Sequence, residues 1–129
     1  KTKVYEDAVL RLKNAGLEVI THIIIGLPND NPVKTTEFAV KCDTNGVKFH
    51  LLHILKNTRL AEELENGSIK ALELEEYAKI LKECISVLPK EIVVHRITGD
   101  GAKRDLIAPL WSADKKKTLN YLNNYLQKA

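Results

Sequence analysis

An α/β fold built from parallel βαβ units is predicted by three features of the 129-residue chain. Short β-branched apolar runs alternate with stretches of helical periodicity. Each run is separated from the next by enough residues for a helical crossover, as parallel strands require. Turns carrying glycine or proline follow the first run and the third. One domain over residues 1–129 is expected, because domains usually run to about 100–150 residues and that size buries a real core.

Element by element, Tyr5, Ala8, Val9, Leu12 and Ala15 recur at helical spacing, and Gly16 stands where a left-handed cap belongs. Residues 17–25 are short, β-branched and nearly all apolar, which predicts a strand covered on both faces. Residues 26–32 break it. Val33, Thr36, Ala39 and Val40 mark a helix to about Cys42 with Phe38 out of register, and residues 43–46 end it. Residues 47–55 read as a second strand. Asn57 and Thr58 start a short helix over 59–65, closed by Gly67. Leu74, Tyr77, Leu81, Cys84 and Leu88 give the clearest helix, stopped by Pro89. Residues 92–98 form strand three, a loop runs through Pro109-Leu110-Trp111, and Ser112 is placed to cap a last helix carrying Leu119, Leu122 and Leu126.

Composition excludes several classes. With 44% hydrophobic and 29% charged residues and no long apolar run, the chain is neither disordered, collagenous nor membrane-spanning. The formal charge of +3 arises from 20 basic and 17 acidic residues scattered throughout, so no stripe tracks a phosphate backbone. Lys115-Lys116-Lys117 reads as a solvated helix start. No targeting signal is legible, so a cytoplasmic location is expected. Cys42 and Cys84 are far apart, form no CxxC, and read as small buried hydrophobes rather than metal ligands or a disulfide. The chain opens at Lys1 within a helical pattern and holds no methionine, so it is read as a fragment of a longer protein.

Polar side chains interrupt every strand: His22 in the first, Lys48, His50 and His53 in the second, His95 and Arg96 in the third. A histidine on an apolar strand ordinarily serves as a hydrogen-bonded core residue. Lys48 is harder to absorb, since a buried unpaired ammonium costs several kcal/mol; it must reach solvent, a partner or a lumen. Alternation puts Lys48 and His50 on one face and His53 on the other. Ligands of parallel α/β folds bind beyond the carboxyl ends of the strands, where 26–28, 55–58 and 98–101 would form one rim. A three-imidazole metal site from His22, His50 and His95 is a minor alternative.

The segments 22–28, 48–58, 95–101 and 108–112 together resemble the C-terminal half of the YhcC-like branch of the radical SAM superfamily, itself similar to the radical SAM domain of the Elongator catalytic subunit. The resemblance implies the C-terminal half of a partial (β/α)6 TIM-like barrel, and S-adenosylmethionine and a [4Fe-4S] cluster as cofactors of the full-length parent. It implies cofactor contacts at Ile24, Gly26, Leu27 and Pro28, and a lumen-facing, substrate-side position for Lys48 and His50. His95, Arg96 and Asp100 are assigned to substrate from their position alone. The superfamily's CxxxCxxC loop is absent from this sequence. Two cysteines cannot replace it, because clusters need thiolates.

Three functions are therefore open: the substrate- and cofactor-side fragment of a radical SAM iron-sulfur oxidoreductase, inactive alone; a non-catalytic anion- or nucleotide-binding module using the backbone N–H groups of Gly99 and Gly101; and an interaction domain. The expected partners are the missing N-terminal half of the barrel, an unidentified substrate and a second copy of the chain. That copy would dock through an unpaired sheet edge or the lumen face.

Overall fold

The computed structural model describes residues 1–99 and 103–128. Its order is α1 (Thr2–Asn14), β1 (Ile20–Ile25), α2 (Pro32–Lys41), β2 (Gly46–Leu51), β3 (Ile54–Leu55), α3 (Arg59–Glu65), α4 (Leu74–Ser86), β4 (Val93–Arg96), β5 (Leu106–Ala108) and α5 (Lys115–Gln127). Short 3₁₀ turns at Lys103–Asp105 and Leu110–Ala113 flank β5.

The main sheet has the order β1-β2-β4 with both pairings parallel, as the crossover lengths predict. Strand alternation sends Ile23 and Ile25 of β1 and Val47, Phe49 and Leu51 of β2 to one face. There they pack with Ala39 of α2, Tyr77, Ala78, Leu81 and Cys84 of α4, and Leu122 of α5, forming one core. Ile20, His22 and Ile24, and Gly46, Lys48 and His50, take the opposite face by the same alternation. His22 and Ile24 are exposed, so β1 is covered on one face rather than on the two its apolar run suggests.

Residues 47–55 are not one strand. After Leu51, the Leu52 N–H still donates to the Ile25 carbonyl (2.9 Å), and the chain then leaves the sheet. Ile54–Leu55 pair with β5 in an antiparallel two-stranded ribbon absent from the sequence reading. A run of five residues with four apolar ones carries no period that could reveal this break.

Other local expectations divide. Gly16 and Gly67 adopt positive φ, and Thr58 caps α3 by accepting from the Ala61 N–H. The cap of α5 is Asp114, which accepts from Lys117 N–H; Ser112 lies in the preceding turn and donates to the Pro109 carbonyl at 2.7 Å. Phe38 falls out of phase because α2 packs in two directions: its ring meets Tyr5 of α1 at 5.8 Å while Ala39 faces the core. The Tyr5 hydroxyl continues to Thr21, and Thr21 to Thr44, which ties α1 to the start of β1.

At the far side, the buried Tyr77 hydroxyl donates to the Ile97 carbonyl at 2.5 Å, and Trp111 Nε1 donates to the Leu72 carbonyl at 2.9 Å. Their rings lie 5.7 Å apart, so one aromatic pair joins α4, the end of β4 and the turn before α5. Among the described residues, no helix is long and apolar enough to cross a membrane.

Candidate functional site on the open face of the sheet

The face turned away from the helices collects the polar strand residues. Parallel register places His22 beside Lys48, and Lys48 beside Arg96, so one rung across all three strands carries three basic side chains. His50 stands one step further along β2, beside Ile24. Its ring stacks on that of His22 with centroids 4.9 Å apart and planes 23° apart.

Arg96 reaches this rung through an irregularity. Gly46 pairs with Val93 and Val47 with Val94, but Lys48 pairs with Arg96, because the register shifts between Val47 and Lys48. Val94 and Ile97 both pack on the core, three residues apart, so the two residues between them turn outward together. Strict alternation in β4 would send His95 and Arg96 to opposite faces. The sequence holds no sign of the bulge.

His95 leans over Gly46, the first residue of β2. A Cβ added to Gly46 would lie 2.8 Å from two atoms of that ring and 2.9 Å from Ile20 Cδ1, so the glycine makes room for both side chains. His95 thus occupies the amino end of the sheet, away from the rim, and the three imidazoles of His22, His50 and His95 do not converge. No cluster of three metal-ligating residues occurs among the described residues.

At the carboxyl rim, Gly26 follows β1 with φ +112°, a conformation reserved for glycine, and an added Cβ would lie 3.3 Å from Leu52 Cβ. Ile24 and Leu27 on either side are each 40% exposed. Gly26, Leu27 and Pro28 border an open groove whose other wall is Glu63, Asn66 and the 68–70 segment after α3. Gly99 is buried against the histidines: its added Cβ would meet His50 Nδ1 at 3.1 Å and His53 Cε1 at 3.4 Å. Asp100 and Gly101 lie outside the described residues, and with them the assignment of Asp100 to substrate and the backbone cradle shared by Gly99 and Gly101.

The electrostatics of the face are one-sided. Burial first, and then the neighbouring His22, Arg96, Lys48 and His53, push the His50 pKa below the ordinary imidazole value. His50 Nε2 is buried with no hydrogen-bond partner among the described residues. The cysteines stand elsewhere. Cys84 is buried in α4 and Cys42 caps α2; burial is the first cause that raises each thiol above its usual range, so neither is an activated thiolate.

Comparison with known proteins gives a consistent picture. Residues 44–128 match the family described as Radical_SAM C-terminal domain. The uncharacterized protein YtqA of Bacillus subtilis is 36% identical over 126 residues, covering 95% of this chain and 39% of that protein. Protein YhcC of Escherichia coli is 33% identical over 125 residues, covering 95% and 40%. The chain therefore spans about two-fifths of the length of these relatives. In structure, the archaeal Methanocaldococcus infernus Elp3 with an N-terminal deletion (1-46) superposes with a TM-score of 0.64 at 22% identity, over 88% of this chain and 31% of that one. That likeness is one of fold.

Proposed function

Because the chain belongs to the radical SAM C-terminal domain family and has YhcC-like relatives, we propose that it is the cofactor- and substrate-facing part of a radical SAM iron-sulfur protein. Its three parallel strands form an arc of a partial (β/α)6 barrel, and the open face is the stretch of wall that looks inward. The observation that carries this reading is the segregation of the sheet: all packed helices lie on one side, and the ionisable strand residues lie on the other.

The residues after β1 fit the nucleoside of S-adenosylmethionine. Gly26 makes the left-handed turn, packed against Leu52 and Leu72, that brings Ile24 and Leu27 to the rim as exposed apolar surface, with Pro28 stiffening the turn. The cysteines do not fit the cluster: it needs thiolates, and both thiols sit in the helix layer, raised in pKa and away from the open face. We assign the cluster ligands to the part of the parent that this chain does not span, and the chain alone is inactive. When bound, the cluster and the sulfonium cofactor supply radical chemistry. What this chain contributes is position: Ile24 and Leu27 exclude water from the base, and Lys48, His50 and Arg96 face the substrate, with His95 on the same face but set apart at the amino end of the sheet.

The test is reconstitution of the full-length parent with iron and sulfide. Cluster absorbance and formation of 5′-deoxyadenosine are expected, and Leu27→Asp should weaken the second while leaving the first. A parent that yields neither signal refutes the reading.

A further inference from the structure

The rung His22, Lys48, Arg96 calls for a counter-charge. Neighbouring strands lie only about 4.7–4.9 Å apart, and like charges directly opposite one another destabilise a sheet. Cations elsewhere in this molecule do meet carboxylates, Lys13 with Asp43 at 2.7 Å and Arg59 with Glu63 at 3.0 Å. Among the described residues, neither Lys48 nor Arg96 enters an ion pair. The charged and titratable groups that bear on His50 are His22 from β1, Lys48 from β2, Arg96 from β4 and His53 from the turn after β2; no carboxylate is among them. His50 Nε2 is also buried and lacks a hydrogen-bond partner among the described residues.

We propose that the open face seats a multiply charged oxyanion of the substrate, held across Lys48 and Arg96 with the His50 ring beside it. The parts suit that chemistry. Arginine presents a fork of donors, lysine a compact point charge, and the His50 imidazole a further ring N–H. A single carboxylate would neutralise only one of the two permanent cations. A phosphoryl group, carrying close to two charges near neutral pH, answers both. The inference rests on the reading above for the identity of this wall as the substrate side. The oxyanion site itself stands on residues of this chain.

The test uses the 129-residue chain with isotopically labelled histidines and inorganic phosphate as the probe, at constant ionic strength and about one unit above neutral pH, where the phosphate is mostly the dianion. The ring resonances of His22 and His50 should shift saturably. Lys48→Gln and Arg96→Gln should each weaken the binding about tenfold, the loss expected for one charge-assisted hydrogen bond. Lys34→Gln, on the exposed side of α2, should leave it unchanged. Acetate at matched ionic strength should bind more weakly than phosphate, and S-adenosylmethionine should leave the phosphate in place. An absence of saturation in the unmodified chain overturns the proposal. So does an equal loss in Lys34→Gln, acetate binding as tight as phosphate, or displacement by S-adenosylmethionine, which would make the site the cofactor's. None of these results bears on whether the parent assembles a cluster, so the two readings fail separately.

Discussion

The imidazoles of His22 and His50 stack 4.9 Å apart although they belong to neighbouring strands and to successive rungs, with Lys48 in register beside the first. A proton on the His50 ring would lie against the His22 ring and near the Lys48 ammonium, which adds to the effect of burial in opposing it.

Acid should therefore destabilise the fold through His50. In the unfolded chain it binds a proton near the ordinary value of about 6.5, whereas the folded state holds its pKa lower, through burial first and basic neighbours second. Over the interval between the two values the unfolded chain takes up protons that the folded chain does not. The contribution is fully present above the unfolded value and is lost as pH falls toward the folded one. Denaturant titrations at a series of pH values should show a shallower acid slope for His50→Asn than for the parent; equal slopes would contradict the assignment.

Gly26→Ala should destabilise the chain by about 1–3 kcal/mol, the usual range for a side-chain-bearing residue held in a forbidden backbone region. The left-handed turn and the 3.3 Å approach to Leu52 Cβ act together here. Gly67→Ala, which meets no neighbour within 4 Å, provides a comparison in which only the backbone conformation is strained. Thermal unfolding of the pair should rank Gly26→Ala as the more damaging.

Tyr77→Phe removes the donor to the Ile97 carbonyl without opening a cavity. A loss of about 1–2 kcal/mol is expected for an orphaned buried carbonyl. Hydrogen exchange should report the loosening around residues 94–98 before it appears at β1. A uniform change across the sheet would argue against a local tie.

β1 and β4 flank the sheet, and each leaves one side of its backbone without a strand partner among the described residues. Such edges template association. We propose that the isolated chain dimerises through an edge or through the open face, which sedimentation equilibrium should reveal as a concentration-dependent mass. A monomer at all concentrations, with the face still accessible to probes, would refute this.

The parallel architecture was legible because apolar runs and crossover lengths are written directly in the residue order. The polar residues of the strands were legible as such, but not their arrangement on the open face. Lys48 announced itself as an ammonium in mid-strand, yet the approach of Arg96 depends on a bulge, and bulges arise from the packing of Val94 and Ile97 on the core rather than from any local pattern. His95 and Gly46 illustrate the same limit: a glycine opening a strand looks like a loop residue until the ring and Ile20 are seen closing over it. The ribbon of β3 and β5 was hidden because two-residue strands carry no period.

The contact between Gly99 and the His50 ring couples two parts of the rim mechanically. With its hypothetical Cβ only 3.1 Å from Nδ1, the backbone after β4 has no slack on that side, and a bulkier residue there would turn the imidazole off its neighbour. The ring works as a spacer at the strand end: whatever rotates it sets how closely residue 99 sits against it, and whatever shifts residue 99 re-aims the ring.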